Sequence, residues 1–225
     1  KAKFCSEGSK LMASYCEKYN LPLMKCGKVI LPTKSEDEDQ IDLLYKRGVK
    51  NGASVKIISQ KELREIEPEA STIAQRALYS PNTSVIDPYA VLSKIQSELN
   101  NSDVIILFNE KVISANPDQS TITTNKDNNF KYKHLINCTG QYSDVVSKLF
   151  NVGKKYTLLP FKGLYYGLSK NSNIRLNGLI YPVPDLSVPF LGIHSVKLVN
   201  GSVYFGPTAI PAFGRENYQG FEGVN

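Results

Sequence analysis

Apolar residues recur at helical spacing where the chain begins and at strand spacing where it ends. Phe4, Gly8, Leu11, Tyr15 and Tyr19 stand three or four residues apart with Lys and Glu between them, which predicts a helix over residues 1–20. Asn20-Leu21-Pro22 ends it, because the residue before a proline is pushed out of the α region. Residues 27–32 read as a short strand. Ser35 is expected to cap a second helix whose acidic first turn, residues 36–39, suits the positive end of the helix dipole. Ile41, Leu44, Tyr45 and Val49 form its apolar face, and Asn51-Gly52 stops it. Ser59-Gln60-Lys61-Glu62 fits a capping box opening a short helix. Residues 77–80 and 84–86 read as strands around a Pro81-Asn82 turn. Asp87-Pro88 then supplies the cap and first residue of a helix to about Asn100, with Val91, Leu92, Ile95 and Leu99 inward.

The pattern changes after Asn100. Residues 103–107 and 134–138 are apolar runs of the kind that form strands buried on both faces. Between them, residues 111–113, 120–124 and 130–132 predict short strands joined by polar turns. The second apolar run leads through Thr139-Gly140 into a helix at residues 142–150. From residue 153 the pattern is mostly antiparallel β, with strands at about 157–168, 178–181, 190–196 and 202–205. The expected fold is α+β/α/β, a β/α nucleotide-binding patch with a second, β-rich domain wrapped around it.

Composition narrows the class. The chain has 225 residues, 41% hydrophobic and 21% charged, enough to bury a core without disulfides or metal. No apolar run approaches the roughly 18 residues of a membrane span, and no signal-peptide core follows the N-terminus. The net charge of +6 is dispersed and the one dense charge run is acidic, so the basic stripe of a nucleic-acid binder is missing. A dispersed positive charge suits an anionic substrate or peripheral contact with an anionic membrane. The four cysteines, Cys5, Cys16, Cys26 and Cys138, form no C-x-x-C pair, and two histidines do not complete a zinc site. They read as reduced, mostly buried thiols of a cytoplasmic protein with no metal.

The candidate chemistry is sparse. No two of the 15 glycines stand two residues apart, so G-x-G-x-x-G is absent, as are the Walker A and G-x-S-x-G patterns. His134 reads as a structural residue at the start of a buried strand. His194, on a β-strand, reads as either structural or a substrate contact. Leu135-Ile136-Asn137-Cys138-Thr139-Gly140 reads as an ordinary β–turn–α joint or as a strand ending in small residues, where a ligand can approach the backbone closely. Tyr165-Tyr166 places one ring on each face of a strand. Arg215 can clamp a carboxylate with its planar fork, or pair with a neighbouring acid.

Five stretches together resemble the L-2-hydroxyglutarate oxidase/dehydrogenase family of the D-amino-acid oxidase superfamily. They are residues 1–5 (Lys1-Ala2-Lys3-Phe4-Cys5), 62–68 (Glu62-Leu63-Arg64-Glu65-Ile66-Glu67-Pro68), 79–88 and 135–144, and a long one running from Leu159 to Gly167 and through Leu179-Ile180-Tyr181-Pro182-Val183-Pro184-Asp185, Pro189 to His194, Gly206-Pro207 and Arg215-Glu216-Asn217-Tyr218. The resemblance implies an FAD-binding Rossmann-like domain interleaved with an antiparallel β substrate domain. The implied segments are 1–76, the helical part of the FAD domain and the start of the substrate domain; 77–101, substrate-domain strands and a helix; 102–152, a second part of the FAD domain; and 153–225, the β substrate domain, incomplete. It implies oxidation of L-2-hydroxyglutarate, a 2-hydroxy diacid, to 2-oxoglutarate by hydride transfer to flavin, with electrons leaving to oxygen or a quinone-linked acceptor. The missing signal and the reduced cysteines suggest the cytoplasm, with peripheral attachment to the inner membrane as an option.

By the same resemblance Val112, Cys138, Thr139 and Gly140 lie along FAD; Tyr166 and His194 are the candidates for the roof over the flavin on the substrate side, and on charge alone Arg215 or Lys162 meets a carboxylate of the diacid. No residue is singled out as catalytic base. Leu164 stands where the family often has an acid, and Gly214 where it often has a base. Family members carry a glycine-rich FAD cradle and further substrate-domain sequence that do not occur here. The expectation is therefore an internal fragment of a flavoenzyme, which alone binds FAD weakly or not at all, has no turnover and exposes apolar edges. The alternatives are another flavoenzyme of the superfamily, of the glycerol-3-phosphate dehydrogenase or amino-acid oxidase type, and a non-catalytic module.

Overall fold

The computed structural model describes residues 2–224; Lys1, part of the first family-like stretch, and Asn225 lie outside the described residues. The chain forms two compact units, each made of two separated stretches. One comprises residues up to Glu98 with Gly163–Thr208, the other Leu99–Lys162 with residues from Ala209 on.

The first unit opens with α1 (Ala2–Lys18). Only its last turns are held. Cys16 is fully buried, Tyr15 meets Tyr19 edge-on with centroids 4.8 Å apart, and the Tyr15 hydroxyl donates to Glu98 at 2.6 Å. Phe4 and Leu11, expected on the inner stripe, are exposed. After β1 (Leu23–Lys25) and β2 (Lys28–Leu31) comes a 3-10 turn, Ser35–Asp37, and then α2 (Glu38–Lys50). Ser35 is not the cap. Asp37 reaches back over the turn, its Oδ2 accepting from the backbone N–H groups of Thr33 and Lys34 at 3.0 Å, so the α-helix starts later than expected. Ile41 is fully buried, whereas Tyr45 and Val49 face solvent.

The capping box is present. In α3 (Gln60–Ile66), which follows β3 (Lys56–Ser59), the N–H of Glu62 donates to Ser59 Oγ and the N–H of Ser59 donates to Glu62 Oε2 at 2.7 Å. β4 (Arg76–Ser80) and β5 (Ser84–Ile86) follow. Asp87 accepts the N–H groups of Tyr89 and Ala90 and so caps α4 (Pro88–Asn100); Val91 is buried there, but Leu92 and Ile95 are exposed.

In the second unit β6 (Val112–Asn116), β7 (Thr121–Thr124) and β8 (Asn129–Lys131) form an antiparallel meander, followed by a short α5 (Ser143–Leu149) and β9 (Phe161–Lys162). The chain returns to the first unit with β10 (Tyr166–Gly167), β11 (Leu179–Pro182), β12 (His194–Lys197) and β13 (Val203–Gly206). Last, β14 (Ile210–Pro211) pairs antiparallel with β9.

Two expected strands do not form. Residues 104–107 and 134–138 are extended but unpaired, with Ile105 82% and Ile136 83% exposed; His134 and Cys138 are exposed too. A strand is stabilised only by a ladder partner, and no described strand lies beside these runs. The thiols are free as expected, but only Cys16 is buried; Cys5 and Cys138 are exposed and Cys26 is partly covered.

The main sheet has the order β11-β2-β4-β3. The β-rich later part is not wholly antiparallel, because β11 runs parallel to β2, with Lys28 beside Leu179 and Ile30 beside Tyr181. Gly178 lets the two backbones approach: a Cβ there would stand 2.6 Å from the Cys26 carbonyl oxygen and 2.9 Å from that of Gly27. One sheet face carries Val29, Leu31, Ile58 and Ala77, packed with Leu63 and Ala70; the other carries Leu78 and Val183 against Ile41 of α2. β11 is also held where it begins. Glu67, 1% exposed, accepts the N–H groups of Asn177 and Gly178 at 2.8 Å through Oε2, and among the described residues its Oε1 has no hydrogen-bond partner. Lys197 Nζ donates to the Leu176 carbonyl at 2.6 Å, so opposite charges grip one short stretch of backbone.

Candidate functional site

In the first unit, strand alternation sorts side chains by face. Ile30 and Val183 join the core beneath α2. Two residues earlier on the same face, Lys28 and Tyr181 are half-buried and outside that cluster. The Tyr181 ring stacks on His194, with centroids 4.0 Å apart and planes at 23°. The Lys28 ammonium lies 5.0 Å from the Tyr181 centroid, at the distance of a cation–π contact. His194 is 6% exposed, and its Nδ1 is 2.9 Å from the Gly192 carbonyl oxygen. A carbonyl only accepts, so Nδ1 carries a proton; in the neutral tautomer this leaves the lone pair on Nε2. Ser195 Oγ accepts the N–H of Ile180 at 2.8 Å and ties β12 to β11. Burial pushes the Tyr181 phenol up, with Tyr165 adding to the rise; burial pushes the Lys28 ammonium down.

Of the tandem tyrosines, Tyr165 is the one that faces this cluster. Gly206, opposite His194 in the β12–β13 ladder, has no Cβ, and the Tyr165 ring lies where one would be, 2.8 Å from its ideal position. Tyr166 pairs with Phe205 in the same sheet and is 74% exposed. Sequence reasoning passed over Lys28 and Tyr181 and, of the tandem tyrosines, chose Tyr166. A signal existed for Lys28: it is the one cation inside the apolar run of residues 27–32.

The other expected site residues lie in the second unit. Val112 opens β6 at a bulge and pairs with Thr124. Cys138, Thr139 and Gly140 form an exposed turn organised by Asn137. The Asn137 Oδ1 accepts from the Thr139 hydroxyl at 2.7 Å, and its amide donates to the Ser143 carbonyl at 2.8 Å. Lys162 Nζ donates to Asn217 Oδ1 at 2.8 Å, and the Asn217 amide donates to the Gly220 and Glu222 carbonyls. Arg215 is committed internally. It donates to Asp144 Oδ2 at 2.9 Å and to the Gln141 carbonyl. Arg215 holds the Asp144 carboxyl down at about 2. Next to it the Tyr142 hydroxyl donates to Glu216 at 2.6 Å.

These residues fit FAD in part. The turn at 138–140 is open, with no atom of the described residues within 4 Å of a Cβ placed on Gly140, so a flat cofactor edge can lie against it. The glycine-rich anion cradle that grips a pyrophosphate does not occur in the chain. Among the described residues no group of three or more His, Cys, Asp or Glu is placed to hold a metal.

Comparison with known proteins agrees with the fold. Solved structures superpose on nearly the whole chain: L-alpha-glycerophosphate oxidase from Mycoplasma pneumoniae with FAD bound, at a TM-score of 0.76 and 23% identity over 96% of this chain and 58% of that one, and glycine oxidase from Geobacillus kaustophilus, at 0.74 and 16% over 91% and 55%. At those identities the likeness shows the mixed α/β fold alone. Curated sequence relatives include L-2-hydroxyglutarate dehydrogenases from Dictyostelium discoideum, 33% identical over 97% of this chain, and Indibacter alkaliphilus, 35% over 97%. The chain covers 53% and 55% of their lengths, so it spans about half of the curated relatives it matches. The sequence profile of the FAD dependent oxidoreductase family matches residues 1–223, and this chain belongs to that family.

Proposed function

We propose that the protein carrying this chain oxidises L-2-hydroxyglutarate to 2-oxoglutarate. The observation that carries this reading is the identity of about one residue in three, over 97% of the chain, to proteins named L-2-hydroxyglutarate dehydrogenase. The substrate loses its C2 hydride and its hydroxyl proton; FAD, when bound, is the hydride acceptor. The chain's own residues bind and orient the diacid. His194 offers Nε2 to the substrate hydroxyl. Lys162 uses one of its three donors on Asn217 and has two left for a carboxylate. Arg215 serves from a distance, fixing the 212–218 loop on Asp144. Val112 and the 138–140 turn flank the cofactor. Electrons leave to oxygen or to a quinone-linked acceptor, in the cytoplasm or at a membrane surface. Among the described residues no helix is long and apolar enough to cross a membrane.

The test is anaerobic bleaching of the flavin band in the full-length protein, offered L-2-hydroxyglutarate, its D-enantiomer, glycerol 3-phosphate, L-proline and glycine separately. Bleaching by L-2-hydroxyglutarate alone is expected. Bleaching by glycerol 3-phosphate or an amino acid instead overturns the substrate. A full-length protein that retains no flavin is the non-catalytic module.

A further inference from the structure

Lys28 is an anomaly in its strand. Among the described residues no carboxylate pairs with it and no oxygen accepts a hydrogen bond from it, while other lysines are engaged: Lys25 with Glu17, Lys126 with Glu110, Lys197 with the Leu176 carbonyl. A half-buried ammonium has lost part of its hydration, and the Tyr181 ring restores only some of that stabilisation. Its three N–H donors stay open, which is the condition of a cation prepared for an incoming anion. Its neighbours suit the same guest. The phenols of Tyr165 and Tyr181 can each donate to an anionic oxygen, and no acid is among the cluster. Beside them His194 presents an acceptor.

We propose that Lys28, Tyr165 and Tyr181 form a carboxylate-binding subsite, with His194 positioned to accept the hydroxyl next to that carboxylate. An ammonium and two phenols match a carboxylate, and the Nε2 lone pair matches an adjoining alcohol; together they match the head of a 2-hydroxy acid. Burial, which lowers the affinity of Lys28 for its proton, is relieved when an anion arrives. The identity of the diacid rests on the function proposed above; the anion site rests on the geometry alone.

The experiment measures glutarate binding by calorimetry in the full-length protein, with no turnover required. Lys28→Gln is expected to weaken glutarate about ten- to a hundredfold, as loss of a charge-assisted contact does. Lys28→Arg restores most of the affinity, and Tyr165→Phe loses severalfold. Should Lys28→Gln fail to fold, Tyr165→Phe, which removes one oxygen, decides the matter. Unchanged affinity in Lys28→Gln and Tyr165→Phe overturns the subsite, as does a wild type that binds no glutarate. Phosphate competing as well as glutarate also overturns it, since the site would then take any oxyanion. A wild type that binds glutarate through Lys28 yet is not bleached by L-2-hydroxyglutarate keeps the subsite and removes the proposed reaction.

Discussion

Glu67 gives the most quantitative prediction. Its carboxylate takes two backbone N–H groups at 2.8 Å where β11 begins, and the side chain is 1% exposed. Hydrogen bonds to a charged group contribute about 1.5–3 kcal/mol each, and buried N–H groups stripped of their acceptor pay in full. Glu67→Ala should therefore cost about 3–6 kcal/mol, a large share of the roughly 5–15 kcal/mol that holds a domain folded. Glu67→Gln keeps an acceptor oxygen and removes a buried charge, so it should cost at most about 2 kcal/mol. The two variants also differ from wild type in pH response. Burial raises the Glu67 carboxyl above its ordinary value. Stability from a raised carboxyl is fullest below about pH 4.3 and is lost as the pH climbs through the raised value. Both variants should lack that decline. The assay is urea unfolding by far-ultraviolet circular dichroism at pH 5 and pH 7, since the chain has no tryptophan. A Glu67→Ala protein within about 1 kcal/mol of wild type would refute the clamp.

Other perturbations are simpler to read. Asp144 is held at about 2, so the stability from its pairing is present above about pH 3.9 and lost as pH falls through about 2; Asp144→Asn should lack that acid-range decline in a dichroism titration. Gly178→Ala places a methyl against two backbone carbonyls and should cost about 1–3 kcal/mol or more in urea midpoint, while an unshifted midpoint would mean the strands separate freely. Ser59→Ala removes the cap of α3 and should cost about 0.5–2 kcal/mol, with helix content reporting the loss.

What could be read from the sequence was what the chain decides locally. The Ser59–Glu62 box and the Asp87 cap close hydrogen bonds within three residues, and both are present as expected. The apolar runs at 104–107 and 134–138 carry strand-forming residues, but pairing depends on a partner elsewhere, and none is described. Helix faces were drawn too wide for the same reason: Leu92 and Val49 are in phase with the core but have nothing laid over them. Of the candidate site, His194 was visible as a strand histidine. Its companions were not, because Lys28 and Tyr181 meet only through a parallel pairing that no local pattern announces. Arg215 drew attention by its charge, and its acid partner, Asp144, lies far off in sequence.

The parallel seam between β2 and β11 has a consequence for synthesis. β2 leaves the ribosome early, but the strand that covers its free edge follows only after all of Leu99–Lys162 has been made. At about 5–20 residues per second that delay lasts several seconds. Meanwhile the nascent sheet presents an open row of N–H and C=O groups beside Val29 and Leu31, the arrangement that invites pairing with a stranger. Lys28, whose charge sits on that same edge, then also discourages the wrong strand from docking before the right one arrives.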